Sequence, residues 1–368
     1  MKFIHLSDLH IGKRVNEFSM IKDQLYILDQ ILSVIKSGDI NAVLISGDVY
    51  DKSIPPVEAV GVLDSFLTEI SDMNIPVMIV SGNHDSPERL GFASGIMRSK
   101  GVYIYSVFDG KVNTVTEGDV KFHMLPFIKP AYVKKYYPDV DGYEDAVRTA
   151  IAESDIDMSG KNVILSHQFI TCGRCETLRS DSETVSLGGM DNIDVSVFDG
   201  FDYTALGHIH RPQSLRNNVR YCGSPLKYSF SEAPFEKSVT IVDSDDFSVS
   251  TVALKPLHDM RVVKGDMETL LSKEIAQSAD CNDYMHITLT DEDRVIDAMD
   301  KVRNVYPNVM QLEFAGNRNV IEGIYEAEEM TEKEPEELFA EFYEIQNGMP
   351  ISEEQHKLVS KLMEEIRE

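Results

Sequence analysis

The sequence contains a series of short apolar runs, each followed at once by polar residues. The first three runs, Phe3–Leu6, Ala42–Ile45 and Pro76–Val80, predict strands. Between them, apolar residues recur at helical spacing from Ile21 to Ile35 and again from Val57 to Ile70. This alternation predicts an α/β domain in which a sheet is flanked by helices.

Beyond about residue 100 the sequence is richer in predicted strands. The candidates are Val102–Val107, Val120–Leu125, Val163–Ser166, Tyr203–Leu206, Val219–Cys222, Val239–Val242 and Val249–Leu254. We therefore expect residues 1–255 to form two sheets packed face to face with helices outside.

The remaining sequence predicts two smaller parts. Three strands and a helix, Arg261–Lys264, Tyr284–Leu289, Met310–Phe314 and Asp293–Val305, indicate an α/β module over residues 256–321. Residues 322–368 predict a hairpin of helices, Glu336–Ile345 and Glu353–Ile366, with apolar stripes. It is either an ordinary hairpin folded on its own domain or an amphipathic one that docks on a partner.

Charge and cysteine usage narrow the class of protein. Acidic residues number 62 against 35 Lys and Arg, giving a net charge of −27, which argues against the simplest basic nucleic-acid binder. It favours a protein that depends on metal ions or a cationic partner. With four Cys, no signal peptide and no membrane-length apolar run, we expect a soluble cytoplasmic protein without a membrane partner. Cys172 and Cys175 form a CxxC that is either two ordinary thiols or a redox or metal pair.

The polar residues after the apolar runs form an ordered set. They are Asp8, His10, Asp48, Asp51, Asn83, His84, Asp85, His167, His208 and His210. Residues at the carboxyl ends of strands line one crevice, so these side chains could meet although they span 200 residues. Imidazole with carboxylate suits Mn, Fe or Zn. A Gly before Asp48, Asn83 and His208 leaves room for close backbone approach, whereas His5, inside the first strand, is expected to be a core residue.

The order of these residues along the chain resembles that of the motifs in the calcineurin-like metallophosphoesterase superfamily. The resemblance covers about residues 1–255 and implies a four-layer α/β/β/α sandwich with a dinuclear metal site, most simply two Mn²⁺. It implies the following roles: Asp8, His10 and His210 bind one metal, Asn83, His167 and His208 bind the other, and Asp48 bridges both. It also implies that His84 contacts the phosphate and protonates the leaving oxygen, with Asp85 orienting it through its other ring nitrogen, and that Asp51 is structural.

A narrower likeness is to DNA-nuclease subunits within that superfamily. It rests on Leu206–Gln213, Tyr221–Glu232, Ser53–Pro56 and the tail Pro335–Gly348. It implies a nucleoid-associated bacterial homodimer, paired through helices near Val57–Ile70, that acts on DNA with an SMC-like ATPase docked by the hairpin. The implied activities are double-strand 3′→5′ exonuclease and single-strand or hairpin endonuclease, in double-strand break repair, replication and recombination.

Several residues allow a DNA-binding or a structural interpretation. Arg14, Arg211 and Lys227, with Lys13, could contact phosphate or form ion pairs within the protein. Tyr228 and Phe230 could stack on a base but are expected to pack. The polar loop Thr171–Gly189 could contact DNA or gate the site.

Two other functions fit the same residues. One is a dinuclear-metal phosphodiesterase of a small molecule or phosphoprotein, which would not need the module after Pro256 or the acidic tail. The other is a non-catalytic DNA-end-binding scaffold, which the complete set of expected ligands disfavours.

Overall fold

The computed structural model describes residues 1–173, 177–183, 191–291, 295–315, 337–340, 342–343 and 350–367. The chain forms two compact units, Met1–Met260 and Arg261–Glu368. Within the described ranges, no helix is both long enough and apolar enough to cross a bilayer.

The strands are numbered in chain order. They are β1 Lys2–Leu6, β2 Arg14–Val15, β3 Phe18–Ser19, β4 Ile40–Ser46, β5 Val77–Val80, β6 Val102–Tyr105, β7 Asn113–Glu117, β8 Val120–Leu125, β9 Lys161–His167, β10 Ile170–Thr171, β11 Ile193–Asp194, β12 Tyr203–Gly207, β13 Gln213–Arg216, β14 Val219–Tyr221, β15 Lys237–Asp243, β16 Ser248–Leu254, β17 Met260–Gly265, β18 Tyr284–Leu289 and β19 Val309–Phe314.

The helices are numbered in the same way. They are α1 Ile21–Ser37, α2 Val57–Asp72, α3 Pro87–Leu90, α4 Ser94–Met97, α5 Pro130–Val133, α6 Gly142–Ala152, α7 Met267–Leu270, α8 Lys273–Ala276, α9 Ala298–Arg303 and α10 Glu353–Arg367.

Two six-stranded sheets form the centre of the first unit. The first has the order β16-β15-β1-β4-β5-β6, and the second has the order β13-β14-β12-β9-β8-β7. In the first sheet β1, β4, β5 and β6 are parallel, and in the second β8, β9, β12 and β14 are parallel. Parallel pairing brings the carboxyl ends of these strands to one edge of each sheet.

Apolar side chains from both sheets interdigitate in one core. The ring of Phe3 on β1 meets the edges of Phe122 on β8 and Tyr203 on β12, with ring centroids 5.6 and 5.8 Å apart. Helices α1 and α2 pack on the first sheet, and α6 covers the outer face of the second. The predicted four-layer α/β/β/α sandwich is therefore confirmed, and burial of this core is its main stabilising term.

The second unit contains a three-stranded sheet in the order β17-β18-β19. Buried side chains of Met285, Ile287, Val302 and Tyr306 form its own apolar core. Residues 337–340 and 342–343 are helical, and Gln355 of α10 donates a hydrogen bond to the Tyr343 hydroxyl at 3.0 Å. The predicted break at Gly348–Pro350 lies largely outside the described residues.

Two sequence predictions need correction. Val102–Val107, Val239–Val242 and Val249–Leu254 are predicted as part of the second, β-rich half, but β6, β15 and β16 all belong to the first sheet. The helix predicted over Asp293–Val305 begins only at Ala298 and ends at Arg303, because Asp297 is in the left-handed region with φ of 54°. Residues 293–294 lie outside the described residues.

Candidate metal centre

The polar residues that follow β1, β4, β5, β9 and β12 meet at one buried site. Hydrogen bonds join the two sheets there. The His167 ring shares a hydrogen bond of 2.7 Å, through Nδ1, with the Ser46 carbonyl, and the His208 backbone N–H donates to Asp8 Oδ1 at 3.1 Å. The carboxyl ends of both sets of parallel strands therefore face the same crevice.

Asp8, His10 and His210 form the first group of donor atoms. One potential ligand atom from each lies within 4.8 Å of the others, and all three side chains are buried. His10 Nε2 is 3.0 Å from His210 Nε2 and 3.6 Å from Asp48 Oδ2. Asp48 therefore borders this group.

Asn83, His167 and His208 form the second group. Asn83 Oδ1 is 3.1 Å from His167 Nε2 and 3.0 Å from His208 Nδ1. Asp48 Oδ2 lies 3.3 Å from His167 Nε2, so the same carboxylate borders both groups. All seven residues predicted as ligands are thus brought together. Potential ligand atoms of Asp8, Asp48 and His167, and of His10, Asp48 and His84, also lie within 4.8 Å of one another.

The backbone at this site is in conformations that L-residues rarely adopt. Asp8, His10, Asp48 and His208 have φ of 52°, 44°, 49° and 104°. Each costs about 1–3 kcal/mol and persists where the surrounding structure holds it, often at functional sites. A Cβ on Gly207 would overlap the Ser46 carbonyl, which confirms the prediction that a Gly before His208 permits close approach.

Burial and opposite charges shift the pKa values in opposite directions. Burial lowers the pKa of His10 well below its ordinary value and that of His208 to about 3. Burial also opposes a charge on His167, but the Asp48 carboxylate outweighs it and raises the pKa of His167 to about 9. Without a cation, a proton on His167 supplies positive charge beside Asp48.

These donors fit divalent transition metals. Imidazole nitrogens, two carboxylates and one amide oxygen are the ligand types that Mn, Fe and Zn accept. His10 Nδ1 is buried without a hydrogen-bond partner among the described residues, and its Nε2 faces another ring nitrogen at 3.0 Å. A cation held by these donors would relieve such crowding. The hydrogen bond of His167 Nδ1 leaves its Nε2 directed at the site, as in many metal-binding histidines.

His84 stands beside the donor groups, but its orienting partner differs from the one implied. Its Nδ1 shares a 2.9 Å hydrogen bond with the Asp51 carbonyl. The Asp85 carboxylate instead accepts backbone N–H groups of Val49, Tyr50 and Gly82 at 3.2, 2.9 and 2.8 Å. The role predicted for Asp85 is therefore wrong: it holds the loop after β4 against the loop after β5.

The cations predicted to touch substrate have other contacts. Lys227 donates to the Ala233 carbonyl at 2.8 Å and pairs with Asp259 at 2.7 Å, so it holds its own loop instead of phosphate. Arg14 donates to the Glu17 carbonyl within the β2–β3 hairpin. The Arg211 guanidinium lies over the Phe235 ring, 3.9 Å from its centroid.

Lys13 and Tyr228 also prove to be structural. Lys13 pairs with Asp51 at 2.7 Å. Tyr228 is buried and donates to the Leu9 carbonyl, which confirms its packing role. Of the CxxC, Cys172 is half-buried and Cys175 lies outside the described residues.

Sequence reasoning missed the residues that support the donors. Gln24 of α1, which is buried, donates to the His10 carbonyl at 2.7 Å and accepts the Gly12 N–H at 2.9 Å. Glu183 accepts the His210 N–H at 2.7 Å. The helical spacing of α1 marks Gln24 as an inward-facing polar residue, and that was the one available signal.

An open cleft of about 350 Å³ leads to the second donor group. Its lining includes Asn83, His84 and His208 with Phe127, Lys129 and Phe169. Arg179 lies over the Phe169 ring at 3.6 Å. Lys129 and Arg179 are cations beside the cleft that no sequence motif marks.

Comparisons with known proteins agree with this fold and site. A family described as calcineurin-like phosphoesterase matches residues 1–212, and one described as type 5 capsule protein repressor C-terminal domain matches residues 256–347. A Staphylococcus epidermidis protein, named as the SbcD subunit of the nuclease SbcCD, is 33% identical over 85% of this chain and 85% of its own length. A Staphylococcus saprophyticus protein of the same name is 30% identical over 100% of this chain and 99% of its own.

The chain therefore belongs to the class of calcineurin-like phosphoesterases, whose catalytic domain implies divalent metals. Within that class it belongs to the family of SbcD subunits of the nuclease SbcCD.

Proposed function

We propose that this chain is the nuclease subunit of a complex that processes DNA ends. It would hydrolyse phosphodiesters as a double-strand 3′→5′ exonuclease and as a single-strand and hairpin endonuclease, in double-strand break repair, replication and recombination. The observation that carries the proposal is the pair of donor groups bordered by one carboxylate, Asp48, with His84 at the mouth of the adjoining cleft. The relatives named as nuclease subunits supply the substrate class.

Two divalent cations, taken to be Mn²⁺, would be held in these groups. Asp8, His10 and His210 would hold one, Asn83, His167 and His208 the other, and Asp48 would contribute to both. When bound, such cations neutralise phosphate charge and activate the attacking water. The strained turns at Asp8, His10 and Asp48 keep the donors in place before the cations arrive.

His84 would deliver the proton that the leaving oxygen needs. Its Nδ1 contact with the Asp51 carbonyl fixes the ring, and with Nδ1–H donating there, Nε2 is the remaining position for the transferred proton. The His84 backbone N–H donates to Asp48 Oδ1 at 2.8 Å, which ties the proton donor to the shared carboxylate.

A second copy of the chain would pair through the surface around α2. Ile54 and Val57, at the start of α2, are 67% and 88% exposed, and Phe92 and Ile96, in the segment after β5, are 80% and 76% exposed. Large apolar side chains exposed together mark interfaces in soluble proteins. The buried residues of α2, among them Val62, Phe66 and Ile70, face the first sheet instead.

Residues 256–321 would act as a DNA-binding cap and residues 322–368 would dock on an SMC-like ATPase of the SbcC type. Leu338, Phe342, Leu358 and Leu362 in the described helical parts are about half exposed, which leaves apolar surface for a partner helix. We place the ATP-hydrolysing step in that partner and the activity in the cytoplasm with the nucleoid.

The experiment that tests the proposal is cleavage of a linear duplex by the purified chain with its ATPase partner. We expect Mn²⁺-dependent cleavage that disappears with Asp8→Ala. The matched control is Asp155→Ala, which changes an exposed carboxylate outside the site. Failure of the wild-type pair to cut DNA while it hydrolyses a small phosphodiester would support the small-substrate alternative.

A further inference from the structure

Lysines are concentrated in one stretch of this acidic chain. Residues 120–138 contain four Lys and no Asp or Glu, although the whole chain carries a net charge of −27. Lys129, Lys134 and Lys135 of this stretch are exposed at and around α5. These exposed lysines lie within residues 129–136, referred to below as the Lys129–Tyr136 segment.

The segment begins at the candidate active site. The Phe127 N–H donates to the Ser81 carbonyl at 2.8 Å, which fixes the exit of β8 beside the loop that bears Asn83 and His84. Lys129 lines the same cleft as His84 and His208. A chain of phosphates leaving the cleft on this side would therefore meet Lys129 first.

The lysines of the segment differ from several other cations of the first unit in having no acidic partner among the described residues. Lys36, Lys121, Lys161 and Lys227 each pair with a carboxylate at the surface. Within the described part of the chain, no carboxylate pairs with Lys129, Lys134 or Lys135. Lys129 and Lys135 lie over the Phe127 and Tyr132 rings, 6.0 and 5.7 Å from the centroids. Because a ring does not neutralise an ammonium group, the charge of these lysines is available to an external anion.

Two tyrosines alternate with the lysines and are held in place by the fold. Tyr132 and Tyr136 are 40% and 48% exposed. Val133 is buried between them, and the neighbouring Tyr137 hydroxyl donates to the Gly110 carbonyl at 2.9 Å. Aromatic faces alternating with cations are the arrangement that binds single-stranded nucleic acid, since bases stack while phosphates pair.

We propose that the Lys129–Tyr136 segment binds a single DNA strand as it leaves the cleft. Lys129, Lys134 and Lys135 contact its phosphates, and Tyr132 and Tyr136 stack on its bases. The inference rests on the proposed function and adds to it a strand-binding surface that precedes the cap domain in the chain. It also explains how a chain with such negative charge approaches DNA, because the attraction is local.

The test uses the full chain and a fluorescein-labelled single strand, with binding followed by anisotropy in EDTA so that no cleavage occurs. Lys134→Glu/Lys135→Glu is expected to bind at least about tenfold more weakly, and the slope of log affinity against log salt should fall by about 1.4. The control, Lys2→Glu/Lys100→Glu, carries the same charge change on two exposed lysines near the opposite ends of the strands.

Stacking is tested separately. Tyr132→Ala is expected to weaken binding about tenfold, and Tyr132→Phe should restore wild-type affinity because it keeps the ring. Melting temperatures of all variants check that each is folded.

The outcomes separate the inference from the proposed function. Unchanged affinity and salt slope in Lys134→Glu/Lys135→Glu, with a wild-type chain that cuts DNA, would overturn the inference alone. So would variants that lose only binding to the ATPase partner, since the segment would then be a protein-docking surface. A wild-type chain that hydrolyses bis-p-nitrophenyl phosphate but neither binds nor cuts DNA would overturn the proposed function itself.

Discussion

The first unit buries charge in two neighbouring places that are built differently. Glu232 and Lys237 form a buried ion pair at 2.6 Å in which the ammonium also donates to the His210 carbonyl and Ser224, both at 2.8 Å. The other Glu232 oxygen accepts from Ser182 at 2.6 Å. The chain itself thus satisfies this pair completely.

In the candidate metal centre, by contrast, the chain does not supply a hydrogen-bond partner for every buried donor atom. Asp8 and Asp48 are buried among imidazoles, one ring nitrogen of His10 has no hydrogen-bond partner among the described residues and only the Asp51 carboxylate at 3.7 Å, and two other ring nitrogens face each other at 3.0 Å. Buried charges persist when they are paired or bind metals. The ion pair is therefore a structural support, whereas the donor groups are arranged for cations from outside the chain.

Removing the shared carboxylate should have the largest effect. Asp48 borders both donor groups, so Asp48→Ala should abolish Mn²⁺-dependent cleavage and lower the metal content per chain. Metal analysis and a cleavage assay check this, with Asp155→Ala as the control. A variant that retained the wild-type metal content would contradict a carboxylate shared by two cations.

Removing the proton donor should leave the centre intact and slow the reaction. His84→Ala should lower kcat by about 10²–10⁴-fold with metal content unchanged. The matched control is His356→Ala, at an exposed histidine of α10. Full activity in His84→Ala would show that another group protonates the leaving oxygen.

Breaking the buried Glu232–Lys237 ion pair should lower the stability of the fold. Lys237→Met leaves Glu232 buried and unpaired, so the free energy of unfolding should fall by about 3–5 kcal/mol, as measured by urea denaturation. Glu232→Gln/Lys237→Met removes both charges and should restore part of the loss. If Lys237→Met were as stable as wild type, the ion pair would not be the structural support that distinguishes it from the metal centre.

The smallest of the four expected effects is that of pH on Mn²⁺ affinity. Because Asp48 raises the pKa of His167 to about 9, that ring carries a proton below this pH and must lose it before a metal binds. Mn²⁺ affinity should therefore rise by up to about tenfold per pH unit between about pH 7 and pH 9. Calorimetric titrations at several pH values measure this, and an affinity independent of pH would contradict it.

The strand ends and ligands were predictable because each motif follows a buried apolar run. Parallel strands then bring Asp8, Asp48 and Asn83 to one edge, and this placement depends on topology alone. The orientation of neighbouring side chains was not predictable in the same way. Asp85 follows His84 directly, yet its carboxylate accepts three backbone N–H groups from the loops after β4 and β5, and the Asp51 carbonyl contacts the imidazole.

Contacts between distant segments explain the other differences. Lys227 was a candidate for phosphate because it lies in the loop after β14, but its partner Asp259 lies 32 residues further along the chain. Lys129 carries no motif, and only the position of β8 beside β5 brings it to the cleft. The domain boundaries predicted at residues 255 and 321 stay predictions.

The buried donors of the chain are expected to bind two cations. Titration of the metal-free chain with Mn²⁺, with bound metal counted by native mass spectrometry and unfolding followed in parallel, measures this directly. We predict two Mn²⁺ per chain and a melting temperature that rises with metal concentration, because the cations bind only the folded site. Fewer than two bound ions at saturation, or a melting temperature that does not respond to Mn²⁺, would show that the donors do not form a two-cation site.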